Sequence, residues 1–108
     1  MSAVVAAAER VSPFVRVRVE GDSMAPAYSP GDRLLVNRLA YLFRRPRPGD
    51  VVVLRDPEVP GRLLLKRVAA VEEGRYVVLG DNTAESRDSR RFGPVRRRDI
   101  VGKAVLRY

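Results

Sequence analysis

The sequence predicts an all-β fold, a small β-barrel or sandwich with little helix. Short apolar runs recur between turns rich in Gly and Pro, and helical periodicity is weak. In the clearest run, Val15, Val17 and Val19 alternate with charged residues and end at Gly21, as in a half-buried strand. With 108 residues, the chain is expected to form one domain over positions 1–108, with a loosely ordered segment at 1–13.

The other elements are predicted in order along the chain. The apolar run 3–8 is too short for a membrane span or a signal-peptide core, and it indicates a frayed or short helical start. A loop rich in Gly and Pro covers 21–32, and 37–43 is ambiguous between a helical turn and a loop. Further strands are expected where apolar or β-branched runs lie between turn residues, at 33–36, 51–54, 63–71, 75–79 and 101–108.

The composition excludes several kinds of site. Because the chain has no Cys and no His, it cannot form disulfides, thiolate nucleophiles, Ser/His/Asp triads or the usual zinc sites. A hydrolase built from this sequence must take its base from a carboxylate, a lysine or a terminus. The 21 basic and 13 acidic residues give a net charge of +8, and only Lys66 and Lys103 are lysines. Arg stays protonated in proteins, whereas a desolvated Lys can lose its proton.

The first candidate site is the loop 21–26, in which Ser23 follows Gly21 and precedes Pro26. A serine on a rigid loop after a strand can expose its hydroxyl beside backbone N–H groups that could bind an oxyanion. The alternative is an ordinary turn residue, which is the usual role of Ser beside Gly and Pro.

The second candidate is Lys66, which shares a strand face with Leu64 and Val68 if 63–71 is a strand. Burial among aliphatic groups would lower the pKa of its amine from the ordinary value near 10.4 and make it a competent general base. The alternative is a lysine on an edge strand whose ammonium group reaches solvent.

The third candidate is the segment 80–90, which is dense in short hydrogen-bonding side chains and places Asp88 two residues before Arg90. One interpretation is a solvated surface turn. The other is a supporting layer, with a hydroxyl that orients the lysine amine and an ion pair that holds the loop.

These motifs, in this order and spacing, resemble the bacterial signal peptidase I family. The matching segments are 21–26, 41–53, 65–68 and 80–90, within a resemblance that covers 15–108. The resemblance implies a Ser/Lys dyad that needs no metal and no cofactor, with Ser23 as the nucleophile and Lys66 as the general base. It also implies that Ser86 orients the lysine and that Asp88 and Arg90 form a structural ion pair.

The resemblance implies an oxyanion site and a substrate cleft as well. Gly21 stands where some members of the family have a Ser that donates to the oxyanion, so backbone N–H groups, chiefly that of Ser23, would take over that role. The cleft is expected to be lined by five apolar side chains around the two dyad motifs. They are Val17, Val19, Met24, Leu64 and Leu65.

The activity that the resemblance implies is that of a serine endopeptidase acting on a precursor protein or leader peptide. It would remove an N-terminal leader or signal peptide after a small residue such as Ala. No membrane anchor is visible in the sequence, which resembles in this respect the short nickel-type superoxide dismutase maturation proteases. The compartment stays open between the cytoplasm and the periphery of the cell membrane.

The rival hypothesis is a non-catalytic basic module that binds nucleic acid or an anionic membrane surface. It rests on the net charge of +8 and on a cluster of arginines near the end of the chain. The cluster comprises Arg87, Arg90, Arg91, Arg96, Arg97, Arg98 and Arg107. Three Phe and four Tyr without the spacing of a base-stacking sheet make nucleic acid the weaker choice, whereas peripheral contact with anionic lipid stays open.

Overall fold

The computed structural model describes residues 4–11 and 13–108, and over these residues it consists of antiparallel strands with three short helical segments. The strands are β1 (Val4–Val11), β2 (Phe14–Glu20), β3 (Arg33–Asn37), β4 (Val51–Arg55), β5 (Leu63–Glu72), β6 (Arg75–Leu79) and β7 (Ile100–Arg107). Two 3₁₀ turns at Thr83–Glu85 and Arg97–Asp99 and the helix α1 (Ser89–Phe92) complete the described elements. The predicted all-β class is confirmed.

The strands form one sheet in the order β1-β2-β3-β7-β4-β5-β6, and every pairing is antiparallel. β1 also pairs with β5 through Val4 and Leu64, so six strands close into a ring from which β6 extends beyond β5. Closure brings β2 and β5 to either side of β1, although they are far apart in sequence. Ser23 lies on the loop that follows β2, and Lys66 lies within β5.

The helical start expected near the N-terminus is wrong over the residues that the structure describes. Val4–Val11 form β1, which pairs with β2 so that Val5 lies opposite Val19. A strand forms here because the edge of β2 offers backbone groups that need partners, and the short turn at Pro13 brings the preceding segment back along it. The segment expected to be loosely ordered thus contains a strand, while residues 1–3 and 12 lie outside the described residues.

Buried side chains of the sheet and its loops form two hydrophobic clusters, and β4 contributes to both. Its residues alternate between the two faces, and all of 51–54 are buried, as the uninterrupted apolar run predicts. The first cluster comprises Val15, Val17, Val19, Met24, Leu34, Val36, Val51, Val53 and Leu65. The second comprises Tyr41, Val52, Leu54, Leu64, Val68, Tyr76, Val78, Val95 and Ile100.

The segment 37–43, which was ambiguous in the sequence, ends β3 at Asn37 and then forms turns and bends that lead toward β4. It begins where the side-chain oxygen of Asn37 accepts a hydrogen bond of 2.9 Å from the N–H of Leu39, which favours a turn over continuation of the strand. Among the residues that the structure describes, none belongs to a helix with the length and apolarity needed to cross a membrane.

Candidate active site

The site is centred on a contact between Ser23 and Lys66. Ser23 follows β2 on a turn that Gly21 enters with a φ of 81°, a left-handed conformation that favours glycine. Lys66 lies within β5 and donates from Nζ to Ser23 Oγ over 2.9 Å. Both residues are 0% exposed, so the hydroxyl and the amine meet inside the protein. The two residues that the sequence singled out for a dyad are therefore brought together.

The position of Lys66 on β5 explains its burial. Alternation along the strand places it on the face that also carries Leu64 and Val68, both members of the second cluster. Burial lowers the pKa of the Lys66 amine from 10.5 to about 8, because the charged form loses its hydration there. About one molecule in ten then carries the free amine at pH 7, against one in a few thousand for an ordinary lysine.

Charged groups around Lys66 act on its pKa in opposite directions. The carboxylates of Asp88 and Asp56 raise it, and the guanidinium groups of Arg87 and Arg90 lower it. Each carboxylate is paired with one of these arginines, Asp88 with Arg90 and Asp56 with Arg87. Since the two members of each ion pair shift the pKa of Lys66 in opposite directions, burial decides the direction of the shift.

Asp88 lies at the centre of the supporting layer predicted for the segment 80–90. Its Oδ2 accepts hydrogen bonds from the N–H of Gly80 at 2.9 Å, from Ser86 Oγ at 2.8 Å and from Arg90 at 2.7 Å. Burial alone would raise the pKa of Asp88, but these hydrogen bonds outweigh it and hold the pKa far below the usual range. Asp88 therefore stays a carboxylate while 99% of its side chain is buried.

The hydroxyl of Ser86, which the resemblance gave the role of orienting the lysine, lies in the network around Asp88. Ser86 Oγ donates to Asp88, and no hydrogen bond between Ser86 and Lys66 occurs in the described part of the chain. Any influence of Ser86 on the amine is transmitted through Asp88, whose charge acts on Lys66.

The segment 80–90 also contacts the backbone of Ser23, the candidate nucleophile. The N–H of Asn82 donates to the carbonyl oxygen of Ser23 over 2.7 Å. Gly80 lies so close that a Cβ atom there would overlap Ser86 Oγ and stand 2.8 Å from the same Ser23 carbonyl oxygen. Glycine is required at position 80 because of this close approach.

Sequence reasoning missed the ion pair between Asp56 and Arg87. The Asp56 carboxylate is fully buried and contacts Arg87 closely, and Arg87 also donates to Glu58 over 2.7 Å. Burial alone would raise the pKa of Asp56, yet hydrogen bonds from Arg87 and from the N–H of Glu58 lower it. The signal was weak, since Asp56 stands in a segment read only as a break between strands, and its partner is 31 residues away.

The five side chains expected to line a substrate cleft are divided between the two hydrophobic clusters. Val17, Val19, Met24 and Leu65 belong to the first cluster, and Leu64 belongs to the second. A cavity of about 160 Å³ opens beside the first cluster, and Val17 is the one expected cleft residue that lines it, together with Val15, Val36, Arg38, Val53, Arg55, Leu63 and Val101.

The strand β1 lies on the approach to the dyad. Val4 pairs with Glu20 of β2, which is three residues before Ser23. It also pairs with Leu64 of β5, which is two residues before Lys66. The backbone positions of β2 and β5 that lead into the dyad are therefore paired with β1. An extended peptide cannot pair with these positions while β1 occupies them.

Comparison with known proteins shows the family to which this chain belongs. A family model described as signal peptidase, peptidase S26, matches residues 1–72 and 69–108. The chain belongs to the signal peptidase family. The resemblance seen in the sequence is thereby confirmed at the level of the family, and the all-β architecture is the one that this family adopts.

Curated relatives place this signal peptidase family member among bacterial and organellar proteins. It is 36% identical over 110 residues to the mitochondrial ATP-independent inner membrane protease subunit 1b of Arabidopsis thaliana, across 81% of this chain and 65% of that protein. It is 28% identical over 151 residues to signal peptidase I V of Bacillus subtilis, across 94% of this chain and 90% of that protein. The chain thus spans just under two thirds of the plant relative and most of the bacterial one.

Proposed function

We propose that this chain is a serine endopeptidase that removes N-terminal leader or signal peptides from precursor proteins, with its 108 residues acting as one catalytic domain. The observation that carries the proposal is the buried contact of 2.9 Å between Lys66 Nζ and Ser23 Oγ. A serine is a weak nucleophile unless a base stands within hydrogen-bond distance, and a desolvated amine supplies such a base. Membership of the signal peptidase family supports the same activity.

Ser23 and Lys66 divide the reaction between them. Ser23 Oγ attacks the scissile carbonyl carbon while its proton passes to the neutral amine of Lys66, and a tetrahedral oxyanion forms. Lys66 then gives this proton to the departing amine as the C–N bond breaks, which leaves an ester between Ser23 and the leader. A water molecule then attacks the ester carbonyl carbon while losing a proton to Lys66. As the C–O bond to Ser23 breaks, Lys66 returns this proton to Ser23 Oγ, and the leader leaves with a free carboxylate.

The oxyanion would be bound by backbone N–H groups of the turn that begins at Gly21, chiefly that of Ser23. A preorganised backbone donor stabilises the charge that develops in the transition state. Support comes from the left-handed conformation of Gly21, which turns the chain between β2 and the nucleophile. Gly21 has no side-chain hydrogen-bond donor, so only backbone N–H groups of this turn can serve.

Asp88, Arg90 and Ser86 are proposed as positioning residues. Asp88 joins the N–H of Gly80, the hydroxyl of Ser86 and the guanidinium of Arg90 in one network beside Lys66. Because Gly80 also lies against the Ser23 carbonyl oxygen, the network fixes the distance between nucleophile and base. Five buried apolar side chains are proposed to form the base of the substrate cleft, where they would contact the small residues on the N-terminal side of the scissile bond. They are Val17, Val19, Met24, Leu64 and Leu65.

The leader of a nickel superoxide dismutase precursor is the finer proposal for the substrate. It rests on the sequence resemblance to the short proteases that mature this enzyme. The mitochondrial and bacterial relatives make secretory and organellar leaders the main competitors.

The test is cleavage of a panel of precursors by the wild type, Ser23→Ala, Lys66→Ala and Lys66→Arg. The panel includes secretory preproteins and a nickel superoxide dismutase precursor, each read by mass spectrometry of the new N-terminus. Ser29→Ala serves as a matched control because Ser29 is an exposed turn serine after the nucleophile loop. We expect cleavage by the wild type and the control alone. Equal cleavage by Ser23→Ala would contradict the proposal, and the preferred precursor identifies the substrate class.

The rival function, a non-catalytic basic module, has less support from the contacts of its arginines. Arg87, Arg90, Arg91 and Arg107 all form ion pairs with carboxylates of this chain. Arg97 donates to the carbonyl of Ile100 over 2.9 Å. A guanidinium that is already paired gains less from a phosphate, so most of this cluster contributes to the fold rather than to a nucleic-acid surface.

A further inference from the structure

Asp56 is a buried carboxylate that the proposed reaction does not use. It follows β4, its side chain is 0% exposed, and its ion-pair partner Arg87 comes from the loop after β6. A carboxylate leaves water at a cost in free energy that is recovered only when the charge is paired and its oxygens accept hydrogen bonds. Because two apolar side chains would fill the same space without that cost, the pair is a candidate for a role other than stability.

Asp56 orders the connection between β4 and β5. Its Oδ1 accepts hydrogen bonds from the N–H of Glu58 at 2.8 Å and of Val59 at 3.2 Å, and its own N–H donates to the carbonyl oxygen of Arg62 over 2.9 Å. These contacts close the connection immediately before β5 begins. They therefore set the path by which the chain enters the strand of Lys66.

Arg87 joins this connection to the loop that supports Ser23. Its Nη1 donates to Asp56 Oδ1 at 3.1 Å and to Glu58 Oε1 at 2.7 Å, and its Nη2 also donates to Asp56. The next residue, Asp88, is the centre of the network in the loop after β6. Two adjacent residues thus link this loop both to the entry of β5 and to the network beside the nucleophile.

We propose that Asp56 and Arg87 are positioning residues, which hold the amine of Lys66 at hydrogen-bond distance from Ser23 Oγ. Lys66 is the fourth residue of β5, whereas the backbone of Ser23 is held by the loop after β6. A shift between that loop and the entry of β5 would lengthen the 2.9 Å contact, and the ion pair joins these two parts of the chain. The inference rests on the proposed function, in which this contact activates the nucleophile.

The two charges of the pair act on the Lys66 amine in opposite directions. Asp56 raises its pKa and Arg87 lowers it, and Asp88 and Arg90 likewise raise and lower it. Removing both charges of the pair together therefore leaves the charge balance at the amine nearly unchanged. This separates a positioning role from an electrostatic one, because only the positioning role predicts a loss of rate when both charges are absent.

The first experiment measures kcat, KM and the pH midpoint of leader-peptide cleavage. Arg87→Lys keeps the cation but loses the planar fork of donors that contacts both oxygens of Asp56. Asp56→Asn combined with Arg87→Gln removes both charges, so no buried charge is left unpaired. We expect each change to lower kcat about tenfold or more, with KM and the midpoint close to those of the wild type.

Arg91→Lys is the matched control. Arg91 is 67% exposed, and its partner is Glu58 at 3.0 Å. Its replacement should change kcat less than about twofold. An equal loss in this control would overturn the proposal, as would a wild-type kcat in Arg87→Lys and in the double variant. A rise in KM at unchanged kcat would overturn it too, because the pair would then bind the substrate instead of positioning the base.

Lysine resonances provide a test that needs no peptidase activity. The chain has two lysines, so isotope-labelled lysine gives one amine signal from Lys66 and one from Lys103, which serves as an internal reference. Ser23→Ala should shift the Lys66 signal in the otherwise wild-type chain, because the amine loses its 2.9 Å contact. With Asp56→Asn and Arg87→Gln also present, the shift caused by Ser23→Ala should be at most about half as large.

The outcomes of this test separate the positioning role from the proposed function. A shift of equal size with and without the ion pair would overturn the positioning role, as would the absence of any shift in the otherwise wild-type chain. A reduced shift in a chain that cleaves no leader would support the positioning of the amine and contradict the peptidase activity. Circular dichroism checks that each variant is folded.

Discussion

Asn82 donates its peptide N–H to the carbonyl oxygen of Ser23 across 2.7 Å, which joins the loop after β6 to the backbone of the nucleophile candidate. The loop also contains Gly80, and the Gly80 N–H is held by Asp88. The position of Ser23 relative to Lys66 therefore depends on a segment that begins 57 residues after Ser23 in the sequence.

The pH dependence of cleavage should follow the Lys66 amine. Since burial lowers the pKa of Lys66 to about 8, kcat/KM should rise with pH and reach half its maximum near that value. The measurement is a pH profile on a leader peptide without ionising groups in this range. A profile that is flat below about pH 9, or one with its midpoint near the ordinary lysine value of about 10.4, would be inconsistent with Lys66 as the base.

Charge variants around Lys66 should move this midpoint in opposite directions. Asp88→Asn removes a carboxylate that raises the pKa of Lys66, so the midpoint should fall. Arg87→Gln removes a cation that lowers this pKa, so the midpoint should rise. Asp32→Asn is a control, because Asp32 pairs with Arg107 on the turn before β3. Shifts of the same sign in both variants would show that the ion pairs do not act on the amine electrostatically.

Replacing Lys66 by Met should abolish cleavage and stabilise the fold at neutral pH. Burial lowers the pKa of this lysine from 10.5 to about 8, so holding the protonated amine inside the protein at pH 7 destabilises the folded chain, relative to the unfolded chain, by on the order of 3 kcal/mol. Met keeps the chain length without the charge. Urea unfolding at pH 7 should therefore show a higher midpoint for Lys66→Met than for the wild type. A lower midpoint would mean that the ammonium form is well solvated or paired.

The same lysine predicts how wild-type stability varies with pH. Between pH 8 and 10.5 the unfolded chain binds the proton of Lys66 more fully than the folded chain does, so the free energy of unfolding should rise with pH across this window. Below the window both states carry the proton and the contribution is constant. Lys66→Met should lack the rise. Equal slopes for the two proteins would argue that other groups produce the effect.

Gly80→Ala should lose activity out of proportion to its loss of stability. A Cβ atom at this position meets the Ser23 carbonyl oxygen at 2.8 Å, and a backbone atom can move away only by displacing the nucleophile. We expect kcat/KM to fall about a hundredfold, the usual cost of a displacement near 1 Å at a reacting group. Gly102→Ala is the matched control, because its Cβ would meet the Asn37 carbonyl oxygen at 2.6 Å instead. Equal loss of activity per unit of stability in the two variants would contradict the special role of Gly80.

Acid should destabilise the protein through Asp88. Its hydrogen bonds hold the pKa of this carboxyl below the usual range, so the stability that it contributes is present above about pH 4 and is lost as the pH falls below that value. Asp88→Asn should remove this part of the acid dependence while lowering stability at pH 7, because the Asn side chain cannot accept all the hydrogen bonds to the carboxylate. Thermal unfolding from about pH 2 to 7 measures both effects.

Local patterns in the sequence predicted the strands that lie within the sheet. The alternation of Val15, Val17 and Val19 and the unbroken apolar run 51–54 each imply a strand with one or two buried faces, and both strands are present. The strand β1 was missed. Its run of Ala residues has no period of two, and its conformation is imposed by the open edge of β2 rather than by its own propensity.

The chemistry of the site was also partly readable in the sequence. Without Cys and His, the base had to come from a carboxylate, a lysine or a terminus. Ser23 and Lys66 stood out as candidates from their settings in the sequence, and the family resemblance implied their roles. Residue types and their spacing along the chain were enough to select these two candidates, because they limit which groups can act as nucleophile and base.

Only the tertiary structure decided that the amine is buried, that it lies 2.9 Å from the hydroxyl, and that Ser86 donates to Asp88 instead of to Lys66. It also decided that Asp56 and Arg87, 31 residues apart, form a buried pair beside the base. The physical reason is that a pKa, a close contact or an ion pair depends on what surrounds a side chain in space. Closure of the sheet, which joins distant segments, sets those surroundings.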